Sequence, residues 1–124
     1  GFQFRAANQV ADVTSGETFY IRPDGKDVPG SYRQHENQDW NAMCFLLGKQ
    51  RYTACYLDHA SNPKPAYYSE RNYGRFGSYF VTETDGNAPV EARYRVWLQE
   101  GELSGARAAE LSEDFTTPLE VVVK

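Results

Sequence analysis

Asp58 and His59 stand side by side where the apolar segment "RYTACYL" runs out into a loop. An imidazole next to a carboxylate is the pair that general acid–base chemistry draws on. With His35 added, two imidazoles and an acid are the donor types of a metal site. The spacing works against both uses. If the strand continues through 58 and 59, their side chains point to opposite faces, and no His-x-x-x-His pair is present. The plainer role for Asp58 is to shape the turn, its carboxylate accepting backbone N–H bonds where the strand ends. Glu70 is a second carboxylate of the sort glycoside chemistry requires, but Arg71 and Arg75 offer it ordinary ion-pair partners. No cofactor is assigned, and no metal ligands. The nucleophile-elbow, P-loop and dinucleotide-binding patterns are absent.

Aromatic side chains are the other candidate chemistry. The chain carries nine Tyr, seven Phe and two Trp in 124 residues. Along "VEARYRVWLQE", period two puts Val90, Ala92, Tyr94, Val96 and Leu98 on one face. Trp97 then falls with Glu91, Arg93, Arg95 and Gln99. Trp, Arg and Gln on a sheet face suit a sugar, which stacks on the ring and bonds to the polar groups. The alternative is that the helix or another domain covers Trp97, since a large indole usually finds cover.

Seven strands must position these groups. "FQFRAA" alternates Phe2 and Phe4 with polar residues. "ETFYIR" puts Phe19 and Ile21 opposite Thr18, Tyr20 and Arg22. A long polar connection follows from Pro23, punctuated by Asp24-Gly25 and Pro29-Gly30. "WNAMCFLL" is apolar on both faces, as in a central covered strand, and forms a hairpin with "RYTACYL" across Gly48-Lys49-Gln50. A turn centred on Lys49-Gln50 sets Cys44 opposite Cys55; one centred on Gly48-Lys49 sets Cys44 opposite Thr53. Two buried free thiols are the favoured reading of the cysteines. The 56–77 stretch is a loop, then "SYFVTET" and "VEARYRVWLQE" are strands. Ser104 caps a helix over "GARAAELSEDF", with Leu111 and Phe115 on its buried side. Pro118 ends it and "LEVVV" is the last strand. The fold class expected is mainly β, a single antiparallel β-sandwich domain over residues 1–124 with one short helix near its C-terminus.

A formal charge of −4, with basic residues scattered, leaves no field for a nucleic-acid polyanion. Nothing approaches the about 20 apolar residues of a membrane span.

The stretch Asp58, His59, Ser61, Asn62, Pro63, followed by Arg71, Tyr73 and Gly74, resembles the bacterial PmoA-like family, whose automated label is methane oxygenase. The later "RYRVWLQEGELS" and the upstream Trp40 fit as well. Where some members have Trp after Asn-Pro, this chain has Tyr67 and Tyr68. Family proteins are about twice as long, so the resemblance implies the C-terminal portion of a longer protein, without an earlier His-rich half. It also implies a β-sandwich from polysaccharide-degrading bacteria, extracytoplasmic (periplasmic or secreted), with a cytoplasmic location as the alternative. A methane-oxidising role is set aside, because that chemistry works inside membranes.

The leading expectation is therefore a domain that binds or helps to process a saccharide at the 58–76 loop surface. Its ligand residues are Asn62, Tyr67, Tyr68, Arg71, Tyr73 and Trp97, with His59 and Asp58 as the catalytic pair if there is one. One alternative is a hydrolase or lyase whose His/Asp site is shared with a missing N-terminal half. Another is a purely structural domain that packs on that half or on a second copy.

Overall fold

The computed structural model describes residues 2–7, 17–27, 34–71, 74–82, 86 and 89–117. Among them are nine strands and one helix. The strands are β1 (Gln3–Arg5), β2 (Phe19–Arg22), β3 (Gly25–Asp27), β4 (Gln34–Glu36), β5 (Trp40–Leu47), β6 (Gln50–Asp58), β7 (Ala66–Glu70), β8 (Arg75–Phe80) and β9 (Tyr94–Glu100); the helix is α1 (Gly105–Thr116). A four-stranded sheet has the order β1-β8-β7-β4, and a five-stranded sheet the order β3-β2-β5-β6-β9. Every pairing is antiparallel.

Alternation along the strands builds two cores. Tyr20, Met43, Ala54 and Tyr56 from the larger sheet meet Tyr68 and Phe76 from the smaller one. Burying each large side chain contributes about 1.5–3 kcal/mol, and the Tyr56 ring meets Tyr68 and Phe76 at centroid distances of 5.7 and 6.2 Å. The opposite face of the larger sheet carries Ile21, Trp40, Ala42, Cys44, Cys55 and Leu57, which α1 covers with Ala108 and Leu111. β5 and β6 are thus buried on both sides, which is why their sequences are apolar at successive positions. The antiparallel β-sandwich with a short C-terminal helix is what the residue pattern led to.

Local differences have physical reasons. Leu47 pairs with Gln50, so the hairpin turns on Gly48-Lys49, with Gly48 at φ +65°, a conformation that glycine adopts without steric penalty. Cys44 then faces Thr53, Cys55 faces Ala42, and both thiols are free and buried. The polar connection after Pro23 holds two short strands, β3 and β4, and the 56–77 stretch holds β7, where Ala66, Tyr68 and Glu70 alternate inward. The long strand begins at Tyr94, not Val90, and its Leu98 is 65% exposed. The expected strand over "LEVVV" lies outside the described residues.

Two devices fix the helix. Ser104 Oγ accepts from Arg107 N at 3.1 Å, the expected N-cap. Buried Thr53 ties down the chain before it, its hydroxyl donating to Gly101 O at 2.7 Å and accepting from Leu103 N at 3.1 Å. No helix among the described residues is long and apolar enough to cross a membrane.

Candidate functional site

The loop after β6 is closed by its own polar side chains. Asp58 is 1% exposed; its carboxylate accepts from Asn62 Nδ2 at 2.5 Å and from Lys64 Nζ at 3.2 Å. Asn62 is 3% exposed. Its Nδ2 also donates to Arg93 O at 2.8 Å, and its Oδ1 accepts from Arg93 N at 2.7 Å. One amide thereby imitates a strand partner for the residue that leads into β9, while His59 N donates to the same Arg93 carbonyl at 3.2 Å. A cis Lys64–Pro65 bond passes the chain on to β7. Asp58 shapes the turn through the side chains of Asn62 and Lys64, not through the backbone N–H bonds expected of it. Asn62 is a strut of the loop.

His59 turns the other way. Its ring meets Phe115 of α1 edge-on, 5.0 Å between centroids. Nδ1 accepts from Ser61 N at 3.0 Å and lies 2.7 Å from Ser61 Oγ. An Nδ1 that accepts an amide proton leaves the neutral ring's proton on Nε2. The catalytic pairing of His59 with Asp58 is therefore corrected. One side chain sits under the loop among Asn62 and Lys64, the other lies over the helix. Nor does any group of three or more His, Cys, Asp or Glu suited to a metal occur among the described residues.

The remaining expected ligand residues divide. Tyr68 is 0% exposed and its hydroxyl donates to Tyr56 O at 3.2 Å; it belongs to the inter-sheet core, which corrects its assignment to a binding surface. Trp97 is half-buried against the cluster beneath α1, with Arg107 5.7 Å from its ring centroid and its Nε1 donating to Gln99 Oε1 at 3.0 Å. It is covered by the helix, the alternative weighed above, and is no open platform. Arg71 is half-buried, and its carbonyl accepts from Tyr20 Oη at 2.8 Å. Tyr73 lies outside the described residues.

Tyr67 stays partly exposed. It sits on the outer face of the smaller sheet, opposite Tyr79 on β8 and Glu36 on β4. The Tyr67 and Tyr79 rings lie 5.5 Å apart at 36°, both half-exposed. One step along, Ser69 pairs with Gly77, and beyond it Gln3 Oε1 accepts from Arg75 Nε. A Cβ at Gly77 would come within 2.8 Å of Phe2 O, so glycine lets β1 close on β8. Tyr79 was not singled out from the sequence, although the alternation in "RFGSYF" puts it on the face opposite Phe76.

Inside the sandwich lies a polar cluster that sequence reading missed. Arg22 on β2 donates through Nε to Glu70 Oε1 at 2.6 Å and through a second nitrogen to Oε2. Asn41 Nδ2 donates to the same Oε1, and His35 Nε2 stands 3.9 Å from it. Neither Arg71 nor Arg75 is the partner expected for Glu70; the partner comes from the facing sheet. Burial also acts on nearby groups. It pushes the phenols of Tyr56, Tyr68 and Tyr94 above their usual range, with the Asp58 charge adding to each. It pushes the Cys55 thiol up to about 12.

No curated protein and no solved structure matches this chain. A family model does match, over residues 1–113, and the chain belongs to that family, a family of unknown function, DUF6807.

Proposed function

We propose that this domain binds saccharide on the outer face of its four-stranded sheet, with Tyr67 and Tyr79 as the stacking platform. The observation that carries the reading is the pair of partly exposed rings 5.5 Å apart on the outer face of the smaller sheet. Tyrosine offers an apolar ring for the C–H face of a sugar and a hydroxyl for its edge. Glu36, Ser69, Gln3 and Arg75 border the rings with acceptors and donors for sugar hydroxyls. The resemblance of the Asp58–Gly74 stretch to PmoA-like proteins of polysaccharide-degrading bacteria points the same way, and with it goes an extracytoplasmic setting. Electrophoresis through gels that contain soluble plant or bacterial polysaccharides tests the reading: the protein is retarded, and Tyr67→Ala releases it.

A further inference from the structure

The outer face of the smaller sheet carries more than its two tyrosines. Phe4 and Phe76 pack inward, so period two turns Arg5 on β1 and Arg75 on β8 outward. The two arginines pair directly across the strands. Ala6 N donates to Gly74 O at 2.9 Å. Arg5 and Arg75 are therefore one of the closer, non-hydrogen-bonded pairs of the ladder, with Cα atoms about 4.5 Å apart. On the other side of Arg75, Arg71 N donates to Arg75 O at 2.9 Å and carries the β7–β8 register on by one step. Basic residues spread along the sequence thus meet in one row, Arg71, Arg75 and Arg5, about 10 Å across three strands.

Like charges set opposite each other destabilise a sheet. Arg5 and Arg75 are both exposed, and neither is in an ion pair among the described residues. Arg75 Nε donates to the neutral amide of Gln3. Of the acids on these four strands, Glu70 points inward to Arg22, and Glu36 lies in the row of Tyr67 and Tyr79, at the other end of the face. A guanidinium matches a carboxylate at two points in one plane. The chain's formal charge of −4 works against a densely charged polyanion, so a carboxylate set among neutral groups suits the row better. Arg75 and Tyr79 stand at opposite ends of the outward positions of β8, about 13 Å apart along the strand. That is farther than one sugar ring reaches.

We propose that the saccharide of this face is acidic. Neutral sugars stack on Tyr67 and Tyr79, and the carboxylate of a uronic acid farther along the same glycan is held by Arg5 and Arg75. The inference rests on the saccharide reading of the face and adds to it the charge and spacing of the substrate.

The test is electrophoresis of the chain through gels that hold glucuronoxylan or xanthan, each beside its carboxyl-reduced form, with polygalacturonate as a densely charged arm. One of the two sparsely charged polymers retards the protein, and its reduced form binds at least about fivefold more weakly. Arg5→Gln and Arg75→Gln each weaken binding of the acidic polymer about two- to fivefold, with unchanged circular dichroism. The double variant binds it no better than the reduced form. Tyr67→Ala weakens it as well. Equal binding of the acidic and reduced forms overturns the proposal and leaves the saccharide reading standing. A double arginine variant that binds as the wild type does has the same effect. Polygalacturonate bound most tightly, with no change in Tyr67→Ala, identifies simple ion exchange and also overturns it. No retardation in any gel ends both readings.

Discussion

Arg22 on β2 and Glu70 on β7 are 48 residues apart in sequence, and their side chains join the two sheets in a buried bidentate pair. Both are nearly inaccessible to water, and Asn41 adds a further bond to the carboxylate. Removing one partner strands the other's charge in the core.

Glu70→Ala and Arg22→Ala are each expected to lower stability by about 3–5 kcal/mol. The paired replacement Arg22→Met/Glu70→Leu removes both charges and recovers most of that loss. Urea unfolding midpoints check this, and a double variant no more stable than the singles would contradict it.

The hairpin of β5 and β6, the cap at Ser104 and the buried side of α1 were legible in the sequence because each depends on neighbours within a few residues. The cluster at Glu70 was not. Its partners Arg22, Asn41 and His35 come from three other strands, and only the stacking of the two sheets brings them together. Period two did place Arg22 on the face of Tyr20 and Asn41 on the face of Met43, and a polar residue on a core face was the available signal. β7 went unread because Pro63 and Pro65 mark a loop, and the five residues after them alternate too briefly to stand out. Trp97 fell correctly on the face away from Val96, but a strand pattern does not say that the helix that starts at Gly105 will return over it.

Asn62→Ala deletes three hydrogen bonds that hold the loop to Arg93 and Asp58. At about 1 kcal/mol each, the expected loss is about 2–3 kcal/mol, with faster hydrogen exchange at the Arg93 amide. His59→Ala removes an edge contact with Phe115 and the bonds to Ser61, and costs about 1 kcal/mol. Calorimetric unfolding of both variants checks the order, Asn62 above His59.

Alkaline pH weakens the fold. Burial raises the folded Cys55 thiol from 9.0 to about 12, and raises the Tyr56, Tyr68 and Tyr94 phenols above 10.0. The unfolded chain therefore sheds these protons first, and folding must take them up again. Their contribution is complete below pH 9.0 and is lost as pH rises through the folded values. Thermal midpoints are expected to fall steadily above that point, with part of the phenolate absorbance appearing only on unfolding. Smooth titration of all nine tyrosines in the folded chain would contradict this.

The helix is held by apolar contact. Leu111→Ala is expected to cost about 2–5 kcal/mol, because its side chain fills the cluster with Trp40, Leu57 and Leu103. Looser docking of α1 exposes Trp97, so the tryptophan emission shifts to longer wavelength in the folded variant. Unchanged emission and stability would show that the helix does not cover that ring.

Titration calorimetry of the wild type and of Tyr67→Ala, Tyr79→Ala and His59→Ala against one soluble polysaccharide that retards the protein tests the central claim most directly. Loss of one stacking ring removes about 0.5–1.5 kcal/mol, so each tyrosine variant binds about two- to tenfold more weakly, while His59→Ala binds as the wild type does. Binding that survives the loss of both tyrosines, or no binding by the wild type to any polysaccharide tried, would contradict the account.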